Sequence, residues 1–172
     1  MRLFIAINFD EKTKDKIQEV QEKMKLISRG NYTKRENLHL TLAFLGEIPE
    51  DRIEDIKNAI NSVEVPEMKL IFSKTGCFNR DSELWWIGIK QNKELTKMQK
   101  ELVNTLKENG FKIESRKFVP HITIARETRI KYSGLEFLEN EFTSQKINSI
   151  DLMLSERVNG KLQYKKLYCT NK

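Results

Sequence analysis

The chain has 172 residues, a length at which one domain buries a real core without disulfide or metal support. Hydrophobic residues make up 38% and charged residues 33%, and the longest apolar runs are far too short for a membrane-spanning helix. A net charge of +6 favours polyanion partners such as RNA, although Lys12, Lys14, Lys16 and Lys23 fall on what reads as a solvated helix face. The apolar opening at Leu3 to Ile7 is too short for a signal peptide, and the acidic, lysine-rich stretch Asp10 to Lys16 follows at once, so a cytoplasmic protein is expected. Cys77 and Cys169 carry no CxxC or CxxH spacing and read as incidental thiols.

Leu3 to Ile7 predicts a buried strand, and Asp10 suits the N-cap of the helix that follows. Ile17, Val20, Met24 and Ile27 form its apolar stripe, with Arg29-Gly30-Asn31 as the expected stop. Tyr32 to Glu36 is a polar connection into an apolar strand, Leu38-His39-Leu40-Thr41-Leu42-Ala43-Phe44. A second helix carries Ile53, Ile56, Ile60 and Val63. Met68 to Ser73 reads as a strand, joined through Thr75 to Ser82 to the strand Leu84 to Ile89. Leu95, Met98, Leu102 and Leu106 mark a third helix, with Asn92 as cap and Gly110 as stop. Phe111 to Lys117 leads into Pro120-His121-Ile122-Thr123-Ile124-Ala125-Arg126. Residues 127–145 read as a loop with at most a short helix. The strands Ile147 to Ser155 and Leu162 to Thr170 flank Asn159-Gly160, a strong hairpin signal.

The two His-x-Thr-x-Ala stretches hold the only histidines in the chain. Period-2 alternation puts each imidazole and the hydroxyl two residues on along one face, and aliphatic residues along the other. A shift of 82 residues carries His39, Thr41 and Ala43 onto His121, Thr123 and Ala125, and also Leu3, Ile5 and Ile7 onto Trp85, Ile87 and Ile89. It further carries Val20 and Met24 onto Leu102 and Leu106. This internal duplication implies one α+β domain over 1–172, with pseudo-symmetric lobes roughly 1–80 and 84–170 of antiparallel sheet and outer helices around a central cleft. A two-fold relation would bring the motif strands face to face.

Two imidazoles flanking one phosphate suit hydrolysis of a cyclic phosphodiester, one deprotonating water and the other protonating the leaving oxygen. Thr41 and Thr123 can donate to the non-bridging oxygens. A zinc site would need a third ligand that the cysteine spacing does not supply, so neither metal nor cofactor is expected. Strict alternation puts Arg126 on the face opposite His121, so its guanidinium reaches a phosphate only if the strand ends or bulges there. Under the repeat Phe4 matches Trp86 and Ala6 matches Gly88; core packing is the commoner role for such aromatics, and stacking on bases the sharper one. Lys34, Arg35, Arg116 and Lys117 flank the motif strands, as RNA-backbone contacts or as solvated charge.

The paired motifs resemble the two-histidine (2H) phosphoesterases. RLFIAINFD, ENLHLTLAFLGE, LWWIGI, FVPHITIAR and the closing Ser-x-x-x-x-x-Gly-x-x-Tyr are similar to the RNA 2′,3′-cyclic phosphodiesterase branch, also called 2′-5′ RNA ligases. Two departures are Ala43, where many relatives carry lysine, and Tyr32, near a common tryptophan. The resemblance implies His39 as proton donor, His121 as proton acceptor, an arginine at Arg126 and a 2′-phosphate product. It also implies RNA 3′ ends or small cyclic nucleotides as substrates, with no membrane partner and a monomeric state. The alternatives are the reverse ligation, through the same histidines, and a non-catalytic RNA-binding module.

Overall fold

The computed structural model describes residues 1–79, 83–114, 117–130 and 141–170. Among them run β1 (Arg2–Asn8), α1 (Glu11–Lys25), β2 (Ser28–Tyr32), β3 (His39–Glu47), α2 (Ile53–Asn61), β4 (Met68–Asn79) and β5 (Glu83–Ile89). After these come α3 (Lys93–Glu108), β6 (His121–Ile130), β7 (Glu141–Ile147), β8 (Asp151–Val158) and β9 (Lys161–Cys169). The expected caps form: the Asp10 carboxylate accepts from Thr13 N at 2.7 Å, and the Asn92 side chain accepts from Leu95 N at 2.9 Å. Each such cap is worth about 1 kcal/mol. Asn159 and Gly160 both take positive φ, 51° and 75°, and close the β8–β9 hairpin as their sequence predicts.

The fold is α+β, with two antiparallel sheets in the orders β3-β1-β8-β9 and β2-β6-β5-β4-β7. These sheets do not follow the chain halves. β8 and β9 complete the first sheet, whereas β2 and β4 enter the second, so the limits at 80 and 84 mark the sequence repeat rather than the sheets. Helices cross over likewise: α1 packs on β2, β6 and β7, and α3 packs on β3. The main apolar core contains Leu40 and Ile122 of the motif strands with Ile17, Met24, Ile56, Leu102 and Leu106 of the helices, and Phe4, Ala6 and Met153 form a smaller cluster apart from it. Truncating Leu40 or Ile122, both fully buried, costs about 2–5 kcal/mol.

Several expectations need correction. α1 ends at Lys25, and Ser28–Tyr32 is a strand. Gly30 is there for close approach, since a Cβ would fall 2.4 Å from Thr128 Cγ2 on β6. β4 runs on to Asn79 instead of ending at Ser73. Residues 127–130 and 141–145 are strand, and the rest of the expected 127–145 loop lies outside the described residues, as does Arg116.

Bulges break the alternation of both motif strands at the same place. Thr41 faces Ala6 but Ala43 faces Ile5, so Leu42 is the extra residue; Thr123 faces Trp86 but Ala125 faces Trp85, so Ile124 is. Leu42 and Ala43 are consequently buried in succession, as are Ile124 and Ala125. Phe44 and Arg126 then emerge on the face of the histidines and threonines. The partner strands are slipped, however. Thr41 faces Ala6 whereas Thr123 faces Trp86, so Trp86 corresponds in space to Ala6, and not to Phe4 as the 82-residue shift implies. A two-residue slip preserves the hydrophobic face, so periodicity alone cannot see it.

Candidate active site

β3 and β6 lie against each other where the two sheets meet, which brings the two motifs together. Each histidine is held by the same device. His39 Nδ1 lies 2.7 Å from the carbonyl of Asn37, and His121 Nδ1 lies 2.7 Å from the carbonyl of Val119, in both cases two residues upstream. A carbonyl only accepts, so Nδ1 carries the proton and Nε2 is left for chemistry. Asn37 is itself fixed: its side chain donates to Leu162 O at 3.1 Å and accepts from Tyr164 N at 3.3 Å, tying β9 to the first motif.

Aromatic rings flank both imidazoles. Phe4 and Tyr164 lie 4.9 and 5.1 Å from the His39 ring, centroid to centroid, and Phe78 and Trp86 lie 5.2 and 6.5 Å from that of His121. The Trp86 ring passes over Gly76, where a Cβ would fall 2.2 Å from its Cζ2. Burial pushes His39 below the ordinary histidine value; the Asn37 carbonyl opposes this, and the positive charges of Arg126 and His121 push it lower still. Arg126 also bears on Tyr164, whose phenol burial pushes up while the Arg126 and Arg2 charges oppose. Arg126, His39, His121 and Tyr164 therefore share one electrostatic neighbourhood.

Thr41 Oγ1 lies 2.9 Å from His39 Nε2, beside the nitrogen left for chemistry. Thr123, half-buried, occupies the matching position beside His121. The bulge at Ile124 supplies the condition on which Arg126 depended. Among the flanking cations, Arg35 is committed elsewhere: it pairs with Glu11 at 2.7 Å and Asp15 at 2.6 Å on α1. Glu11 is held below its usual value by Arg35 and Lys14, and Arg35 is raised by Glu11. Lys34 and Lys117 remain at the surface, Lys34 with Glu36 at 4.0 Å. A concavity of about 330 Å³ against α3, lined by residues such as Gln99, Val103, Lys107 and Phe118, includes neither histidine. Among the described residues no three His, Cys, Asp or Glu side chains cluster as metal ligands, and no helix is long and apolar enough to cross a membrane.

Phe44 was not singled out by the sequence, although the 82-residue shift pairs it with Arg126. Its ring is 63% exposed and lies 6.1 Å from Phe4, at the edge of the His39 cluster.

Comparison with known proteins places the chain in a family. The model of the 2′-5′ RNA ligase superfamily matches residues 9–149. The RNA 2′,3′-cyclic phosphodiesterase of Archaeoglobus fulgidus is 31% identical over 152 residues, 82% of this chain and 86% of that one. The protein of the same name from Thermotoga maritima is 39% identical over 139 residues, 77% of this chain and 71% of that one. Among solved structures, E. coli LigT in apo form superposes with a TM-score of 0.85 at 25% identity, covering 98% of this chain and 95% of that one. LigT complexed with 3′-AMP gives 0.83 over the same shares. With two His-x-Thr strands meeting between its sheets, and a family match over most of its length, this chain belongs to the 2′-5′ RNA ligase superfamily of two-histidine phosphoesterases.

Proposed function

We propose that this protein hydrolyses the 2′,3′-cyclic phosphate of an RNA 3′ end, or of a small cyclic nucleotide, to a 2′-phosphate. The observation that carries this is the matched pair of histidines, each with Nδ1 tied to the carbonyl two residues upstream, in one electrostatic neighbourhood with Arg126. The names of the relatives give the substrate class. His121 takes a proton from water, whose oxygen bonds to phosphorus; the bond from phosphorus to the ribose 3′-oxygen breaks, and His39 protonates that oxygen. Thr41, Thr123 and Arg126 stabilise the charge that builds on the non-bridging oxygens. No step draws on a metal or cofactor. The protein acts as a monomer in the cytoplasm.

Attack is in line, so the ribose, which bears the leaving oxygen, sits on the His39 side and the water on the more open His121 side. Phe44 then offers an exposed ring face to the base. One observation favours the reverse assignment: the lowered His39 suits a base in the free protein. The bound phosphodiester anion, however, favours the protonated ring.

The test is turnover of a nucleoside 2′,3′-cyclic phosphate in EDTA. His39→Ala and His121→Ala should each lose about 10²–10⁴ in rate. Undiminished turnover in either variant removes that histidine from the reaction.

A further inference from the structure

At each bulge a glutamine donates to the carbonyl of the extra residue. The Ile124 carbonyl accepts from Gln21 Nε2 at 2.8 Å, as well as from Thr33 N at 2.9 Å. Gln21 Nε2 also donates to the Thr33 carbonyl at 2.8 Å. The Leu42 carbonyl accepts from Gln99 Nε2 at 3.0 Å. The pairing is crossed: α1, early in the chain, secures the second motif strand, and α3, from the second half, secures the first. The two glutamines are 78 residues apart and thus stand outside the 82-residue register, yet they meet equivalent bulge carbonyls.

Gln21 is only 3% exposed, on the same buried stripe as Ile17, Val20 and Met24. A buried primary amide is costly unless its donors are used, and here one of them goes to the carbonyl of the bulge residue of β6. Without the bulge, strict alternation would turn Arg126 toward the opposite face, as it would Phe44 on β3.

We propose that Gln21 and Gln99 are positioning residues: they hold the bulges at Ile124 and Leu42, and so aim Arg126 and Phe44 at the phosphate cleft. This rests on the phosphodiesterase function proposed above. Neither glutamine touches substrate; each acts through the side chain two residues beyond the bulged carbonyl.

A double-mutant cycle on adenosine 2′,3′-cyclic phosphate hydrolysis tests it. Gln21→Met keeps the volume and removes the donors. It should lower kcat/KM by up to about 100-fold, as a misaimed site group does. In an Arg126→Ala background the same change should cost less than about 2-fold, and in a Phe44→Ala background its full amount. Gln99→Met, from a half-buried position, should show the opposite coupling and provides a second cycle if Gln21→Met folds poorly. Equal costs in every background, or no cost in the soluble variants, would overturn the positioning role alone. Absence of turnover in the unaltered protein would instead overturn the phosphodiesterase reading, and this inference with it.

Discussion

Replacing Phe44 by alanine separates a stacking role from a packing role, because the ring is 63% exposed. Full burial of a phenylalanine is worth about 1.5–3 kcal/mol, so the third or so of the ring that is covered contributes about 0.5–1 kcal/mol to stability. Stacking one base on an aromatic ring is worth about 1–3 kcal/mol, which corresponds to about a 5- to 150-fold change in affinity. The assay compares adenosine 2′,3′-cyclic phosphate with a base-free 1-O-methylribose 2,3-cyclic phosphate. Phe44→Ala should raise KM for the adenosine compound by that factor and leave its kcat nearly unchanged, the pattern of a lost uniform contact. The base-free substrate should respond less than 2-fold, and Phe44→Trp should restore binding. Equal losses on both substrates, or none on either, would show that no base lies on this ring.

His39 should lose its proton more readily in the free protein than in the complex. If it is the acid, kcat/KM falls with rising pH from below the ordinary value of about 6.5, whereas the matching limb of kcat lies higher because the bound anion favours the charged ring. If it is the base, kcat/KM instead rises with pH through that lowered value, and initial-rate profiles separate the two. Gly76→Ala drives a methyl group into the Trp86 ring and should cost about 1–3 kcal/mol in thermal or denaturant unfolding, with altered tryptophan fluorescence. Arg35→Met should leave kcat/KM for short RNA ends unchanged, since its guanidinium is engaged by Glu11 and Asp15; a loss at low salt only would put it on the RNA path.

The motif strands, helix caps and final hairpin were legible because each depends on local chemistry: a two-residue period, a capping side chain, or a turn needing positive φ at Asn159 and Gly160. What escaped were features set by partners far along the chain. Nothing in Leu42-Ala43 or Ile124-Ala125 announces an extra residue, for both pairs are as apolar as regular alternation with a small residue would be. The slip between β1 and β5 is invisible because two residues are one full period. Gly30 was ambiguous by nature, serving equally as a helix stop or as a point of close strand approach, and only Thr128 across the sheet decides between them. Arg35 beside a motif strand suggests a phosphate until the acidic face of α1 comes into view.

The neighbours of β1 have a consequence for how the molecule assembles. One is β3, near at hand, but the other is β8, supplied from the far end of the chain, and Tyr164 against His39 comes later still. Synthesis must therefore pass β8 before the first strand is hydrogen-bonded on both flanks, and Tyr164 before the His39 enclosure has that wall. Such remote pairing slows folding and leaves a bare edge on unfinished chains. A chain that stops short of β8 lacks both the second neighbour of β1 and the Tyr164 wall of His39.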